Sequence, residues 1–519
     1  MSVARGQQND EVMDGFKGQP RSEREIRAMA EMRIVMEKVC EGWRLEKIPA
    51  LVMLADVLPT MLVSLVQGIG AEWEALSSGD GRTVSQAVQR ALQGVGVCLL
   101  RGAWMLQGHA TVPPVEQRPS CAECGARMKL VAAKRGRQLV GRFGRYTLER
   151  PYYTCPCCGG GCAPADAAWG IGSGLLDPDL MEVTAADGVR DSFEETRRNV
   201  WRHLQVTIDD NEAQRATEAM GMVLLRQAQE RADAGIRVPP PDPGSDIVLL
   251  EVDGGRVEAG GEWREAKVAA AGPLGPNAQL DPATGRIHLC SGPLHYTASI
   301  ASADEFFARE VRQVAEDAGL FHPRVRSVVL LSDGGEWIDN RWASLGIPDH
   351  VNVFDILDIR HLEEHVWTAA RKCWGDDSPR TKRWAIQQIE AVRSGGPEPL
   401  LTELARIRPR SLAGREELRK LRRYLKRNAH RLQYPHFVAQ QLPIGSGAIE
   451  GAVRTVNNER AKQSGMHWSV LGARAVLALR AIALSPPSAW AAFWATRPQL
   501  ARPTNVKLGG RKWGKTDAA

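Results

Sequence analysis

The chain has 519 residues, 43% hydrophobic and 25% charged, with a formal net charge of +6. That length suits several domains with substantial cores and excludes a disordered or fibrous chain. No apolar run approaches the roughly 20 residues of a membrane span, and the polar start MSVARGQQNDEVMDGFKGQP has no signal-peptide core, so a cytoplasmic protein with no membrane partner is expected.

Residues 1–20 read as disordered. Residues 21–112 read as a helical N-terminal region, with a stripe at Ile26, Met29, Met32 and Met36 followed by apolar runs over 48–69 and 84–106. They carry no chemical signature and suit a packing or oligomerisation role.

Of ten cysteines, six lie between Cys121 and Cys162. Cys121 and Cys124 form one C-x-x-C pair and Cys155 and Cys158 a second, about 30 residues later. Clustering without a secretory signal favours metal over disulfides. Four thiolates on two knuckles suit a structural zinc ion that holds a small β-unit lacking its own core. A zinc ribbon is therefore expected over 115–166, with Cys157 or Cys162 as alternatives to Cys158. Its strands carry Lys134, Arg135, Arg137, Arg142 and Arg145, which suit phosphate contact.

Residues 174–237 return to helix, with a break near 206–209 in the proportions of a DNA-binding helix-turn-helix or an ordinary helical hairpin. VPPPDPGSD (238–246) reads as a linker. Then the pattern becomes α/β. Strands are expected at 247–252, 263–270, 295–301, 325–331 and 351–356, with an amphipathic helix at 304–319. The first strand runs into Asp253-Gly254-Gly255 and the fourth into Asp333-Gly334-Gly335. Between Arg371 and Arg431 stand 17 Lys and Arg against 7 Asp and Glu, a net of +10, so the rest of the chain sums to −4. A basic helical insertion over 369–440, facing a polyanion, is expected.

After the insertion comes PIGSGAIEGAVRTVNNERAKQSGMHW (443–468), a loop feeding a helix, with Ser446 placed to cap it and Ile449, Ala452, Val453 and Val456 on a buried stripe. Asp253, Asp333 and Glu450 are separated by 80 and 117 residues. Carboxylates converging from separate elements suit two magnesium or manganese ions, which clamp the attacking and leaving oxygens of a phosphodiester displacement. Asp355 and Asp358 also end a strand and are alternatives to Asp333.

The DGG after a strand, SDGGEWI, DIRHLEEHVW and LPIGSGAIEGAVRTVNNERAKQSGMHWS together resemble DDE transposases of the ISKra-type insertion-sequence family. The resemblance covers roughly residues 115–485. It implies a multidomain α+β protein with a ribonuclease-H-like catalytic domain over 247–368 and 441–485, interrupted by the all-α insertion. It implies Asp253, Asp333 and Glu450 as ligands of catalytic metal, and cleavage and joining of double-stranded DNA at transposon terminal repeats and target sites. A homo-oligomer assembled on DNA, in a bacterial nucleoid, follows from the same resemblance. By helix position, Arg454, Asn457, Arg460 and Lys462 are expected to face the DNA backbone, while Asp358, His361 and His365 brace the edge of the site or touch DNA.

Two other readings remain. His361, Glu364 and His365 match the H-x-x-E-H pattern of a zinc metalloprotease. A decayed transposase would bind DNA through its zinc ribbon without cutting it. Residues 486–519, rich in Trp, Pro, Lys and Arg, read as a flexible basic tail.

Overall fold

Five of the six residues from Ile247 to Val252 are apolar, Glu251 being the exception, a pattern that suits a strand covered on both faces, and the structure builds its larger sheet around that strand. This computed structural model describes residues 49–235, 239–280, 287–463 and 465–496. The expectations for residues 1–20, for 21–48 and for the tail beyond 496 lie outside the described residues. The described residues divide into two compact units, one reaching to Ala216 and the other starting at Thr217. It is a mixed α+β protein with two sheets.

In the first unit, helices α1 (Pro49–Ala71), α2 (Trp73–Ser78) and α3 (Gly81–Leu106) precede a long hairpin, β1 (Lys129–Gly141) with β2 (Gly144–Thr154). Asp80 caps α3 by accepting the Thr83 N–H at 2.8 Å. Val97 and Trp104 of α3 pack with Leu139, Tyr146 and Leu148 of the hairpin. The short β3 (Gly161–Cys162) adds to β2. Helices α4 (Pro164–Ala168), α5 (Pro178–Gly188), α6 (Phe193–Leu204) and α7 (Asp210–Asp233) follow, and the unit boundary falls within α7.

In the second unit, β4 (Ile247–Ala259) and β5 (Glu262–Leu280) pair antiparallel along their length, turning at Gly260 and Gly261. Both glycines have positive φ, +66° and +76°, as a two-residue hairpin turn requires. β5 also pairs antiparallel with β6 (Ile287–Ser291) and β7 (His295–Ser299), whereas β8 (Ser327–Ser332) lies parallel to β4, and β9 (Asn352–Leu357) parallel to β8. The order across the sheet is β6-β5-β4-β8-β9. One face (Val248, Leu250, Val252, Val328, Leu330) is covered by the helix of residues 303–317, α8, through Phe306, Phe307 and Val311. The opposite face (Leu249, Val329, Leu331, Ile356) is covered by α10 (Ile359–Trp374), α11 (Pro379–Gly395) and α13 (Leu412–Arg427). The short α9 (Glu336–Asp339) follows β8, and α12 (Glu398–Arg406) and α14 (Tyr434–Ala439) complete the helical stretch before residues 447–461, α15.

Three expectations change. β4 does not end at Asp253 but continues to Ala259, because β5 pairs with it throughout. β6 is an additional strand, a five-residue run within a Gly/Pro-rich stretch. The tail expected to be flexible from 486 starts as helix α17 (Pro487–Ala495), after α16 (Val470–Leu484). No helix among the described residues is long and apolar enough to cross a membrane.

Candidate active site and cysteine centre

The parallel ladder between β4 and β8 ends at Val252 opposite Ser332, and the next residue on each chain is an aspartate. Side chains two apart on a strand share a face. Glu251 lies opposite Leu331, so Glu251 and Asp253 continue the row begun by Leu249, and Asp333 that of Leu331. The two aspartates thus stand beside each other where the ladder stops. Asp253 Oδ1 accepts the Gly254 N–H at 2.6 Å, and Asp333 Oδ1 the Gly335 N–H at 2.8 Å. Gly334 has φ +81°, and a Cβ there would meet Leu357 Cδ1 at 2.6 Å, so this turn needs glycine. Burial pushes the Asp253 carboxyl up to about 6; the Gly254 N–H opposes that shift, and the negative charge of Asp333 adds to it.

Both alternative aspartates are held by other partners. Asp355 lies opposite Leu330, on the other face of the pleat, and pairs with the buried Arg431 at 2.8 Å. The same guanidinium binds Asp339 at 2.9 Å and the Ser332 hydroxyl at 2.7 Å. Asp358 caps α10, accepting the Arg360 N–H at 3.0 Å. It also holds Ser446, whose hydroxyl donates to Oδ2 at 2.7 Å and whose N–H donates to Oδ1 at 3.2 Å. Ser446 therefore serves as an anchor and makes no side-chain cap, contrary to expectation.

Glu450 is exposed on the first turn of α15, and its Oε1 lies 3.2 Å from the Ser446 hydroxyl. From Val453 to Asn458 the helix takes π form. That segment lies against β4 where Gly255 has no side chain; a Cβ there would sit 2.6 Å from Asn457 Nδ2. The π turn corrects the expected DNA-facing set. One extra residue rotates all that follows by about 100°, so positions expected outside turn inward. Asn457 is fully buried and donates to the Arg256 carbonyl at 3.2 Å. Arg460 is fully buried with its guanidinium 4.8 Å from the Trp468 ring centre. Only Arg454 and Lys462 of that set are exposed.

His361 and His365 stack edge to face at 5.2 Å, and the His365 ring lies 4.2 Å from that of Tyr424. Glu364 is exposed and turned toward His361 at 3.7 Å. Among the described residues, this trio does not gather as metal ligands, and Asp253, Asp333 and Glu450 do not all come within 4.8 Å of one another.

Four sulfurs do. Cys121, Cys124, Cys155 and Cys158 place their Sγ atoms within 4.8 Å of one another, with Cys121 to Cys158 and Cys124 to Cys155 each at 3.4 Å. Cys155 Sγ accepts the N–H groups of Cys157 at 3.4 Å and Cys158 at 3.5 Å. Chiefly through the Cys158 N–H, these bonds bring its thiol down to about 6. A four-thiol set of this kind could hold a metal such as zinc. Cys157 points to solvent and Cys162 contacts Met128 Sδ at 3.3 Å, so neither joins the set. Of the basic hairpin residues, Arg137 is half-buried and binds the carbonyls of Gly172 and Gly174, while the exposed Arg142 pairs with Asp179, Lys134 lies 4.0 Å from Glu149, Arg135 lies over the Tyr152 ring and Arg145 is exposed.

No protein-family model matches the chain, and no curated protein matches it.

One residue escaped the sequence reading. Glu251 is 1% exposed, and its Oε2 accepts the Ile449 N–H at 2.6 Å, one residue before Glu450. Burial pushes its carboxyl up to about 8. The signal was present as a lone acid in an apolar strand, two residues before Asp253 and hence on the same face. Chemically, the arrangement offers hard oxygen donors from two strands and one helix, with the helix start pinned from below by Glu251 and from the side by Asp358.

Proposed function

We propose that the second unit is the catalytic domain of a DNA transposase, in which Asp253, Asp333 and Glu450 hold two divalent cations and cut and join phosphodiester bonds. The observation that carries this reading is the pair Asp253 and Asp333 at the end of the β4–β8 ladder, with the Glu450 helix tied onto the same strand through Glu251. The sheet supports it, since four antiparallel strands, β4 to β7, with β8 and β9 parallel to the central β4 on its other side, resemble the arrangement of a ribonuclease-H-like fold. The donor set fits magnesium or manganese, which favour carboxylate oxygens. Bound there, such ions supply an activated oxygen nucleophile and neutralise charge at the phosphate.

The chain's own groups supply the rest. Asp253 and Asp333 fix two carboxylates on a rigid sheet, and Asp358 and Glu251 set the start of α15 so that Glu450 is delivered from above. Arg454 and Lys462, exposed on or just past that helix, contact the DNA backbone. The cysteine cluster binds structural zinc, making a zinc ribbon of the hairpin end.

The test is incubation of the protein with magnesium or manganese and DNA carrying the ends that flank its own gene, beside Asp253→Asn and Glu450→Gln. Nicking by the parent chain that disappears in both variants is expected. DNA binding without nicking by the parent chain would instead favour a regulatory, non-cutting protein. Nicking that survives in both variants would refute the carboxylate site.

A further inference from the structure

The surface of α13 carries a stripe of positive charge that its own fold compensates only in part. Arg415, Arg419, Arg422, Arg423 and Lys426 are all exposed, and their spacing of three to four residues puts them along one side of the helix. The apolar residues Leu418, Leu421 and Leu425 face the core instead. Arg419 pairs with Glu416 at 2.5 Å and Lys420 with Glu417 at 3.3 Å. Among the described residues, no ion pair meets Arg422, Arg423 or Lys426. Like charges one turn apart weaken a helix, so the chain carries this stripe at a cost that an external polyanion would offset.

The position of the stripe points to its partner. Tyr424, on the same helix, stacks on His365, which meets His361. At the C-terminal end, Arg427 reaches Glu336 at 2.6 Å and Asp339 at 3.5 Å, residues just after Asp333. The stripe therefore leads up to the carboxylate site. At 1.5 Å per residue, positions 415–426 span about 16 Å. Along one strand of a duplex, with a phosphate every ~3.4 Å of axis, that covers about five phosphates.

We infer that the exposed side of α13 is a docking track for the phosphate backbone of duplex DNA, and that Arg422, Arg423 and Lys426 lead the strand toward Asp253 and Asp333. This rests on the DNA reading above. The partner is duplex DNA read through its phosphates, so base sequence has little influence on this contact.

The test measures binding of the full-length protein to a fluorescein-labelled random-sequence duplex by anisotropy, across a salt series without divalent ions. The variant is Arg422→Gln with Arg423→Gln and Lys426→Gln, all at exposed positions where folding is little affected. A control carries Arg324→Gln and Arg326→Gln, exposed residues at the opposite end of β8. The slope of log K against log salt should become shallower by about 2 to 3 in the triple variant, near 0.9 for each phosphate no longer neutralised. Its affinity at about 0.1 M salt should fall more than tenfold, with the control close to the parent chain. An unchanged slope in the triple variant overturns the track. So does an equal effect per charge in the control, which would reduce the effect to net charge. Displacement of the duplex by polyglutamate as effectively as by unlabelled duplex also overturns it, in favour of an acidic protein partner. A parent chain that fails to bind any duplex removes the DNA reading itself. A parent that binds with an unchanged variant slope removes only the track.

Discussion

Glu251 Oε2 and the backbone N–H of Ile449 lie 2.6 Å apart, joining the central strand to the helix that carries Glu450. The bond needs an acceptor at 251, and glutamine offers one while leucine does not. Glu251→Gln is therefore expected to nick DNA within about fivefold of the parent chain. Glu251→Leu should nick about a hundredfold more slowly, as expected when a catalytic group shifts by about 1 Å, with duplex affinity unchanged. Single-turnover nicking and anisotropy on the same preparations check this. If Glu251→Gln is as inactive as Asp253→Asn, Glu251 is a ligand and not a positioning residue.

The same carboxyl makes stability depend on pH. Burial pushes it up to about 8 in the folded chain, from ~4.3 when unfolded. Between those values the folded state binds the extra proton, so stability falls as pH rises through the window. Asp253, raised to about 6, adds a slope of the same sign at the acid end. In chelator, the parent chain should melt lower at pH 8 than at pH 5, and Glu251→Gln should flatten much of that difference. A parent chain that gains stability from pH 5 to pH 8, with no change of slope in Glu251→Gln, would contradict the assignment.

The strands that carry the two aspartates were legible because burial on both faces leaves runs that are apolar but for Glu251, and the cysteine set because two C-x-x-C pairs repeat. The continuation of β4 past Gly254 was not, because glycines erase the alternation and pairing with β5 decides the matter. Nor was the inward turn of Asn457 and Arg460, since a helical wheel assumes one period throughout and the π turn at Val453–Asn458 breaks it. Gly255 admits the Asn457 side chain, a contact that no local pattern announces. Long-range partners such as Ser446 with Asp358, 88 residues apart, leave no trace in local pattern.

Arg431 should be among the most sensitive positions in the second unit. It is 2% exposed and bound to Asp355, Asp339 and Ser332. Arg431→Met removes the buried cation shared by Asp355 and Asp339, leaving only the exposed His430 and Arg427 beside them, which costs about 3–5 kcal/mol. Asp355→Asn keeps a polar partner and should cost less than half as much. Denaturant unfolding of the three proteins measures both, and a loss under ~1 kcal/mol in Arg431→Met would show that the network is relaxed by water.

The cysteine end of the hairpin has a core of only Cys121, Met128, Tyr153 and Cys155, too small to hold a fold without a staple. The purified chain is therefore expected to carry one zinc ion, measured by elemental analysis. Cys124→Ser and Cys158→Ser should lose it, and Cys157→Ser and Cys162→Ser should keep it. A strong chelator should lower the melting of the first unit and leave that of the second in place, because the sulfur cluster and the two-faced sheet belong to separate units. Zinc retained in Cys158→Ser but lost in Cys162→Ser would reassign the fourth ligand. Metal absent from the parent chain, with melting unaffected by chelator, would leave the four thiols as a reduced cluster. The hairpin would then have to be held by the packing of Leu139, Tyr146 and Leu148 on α3.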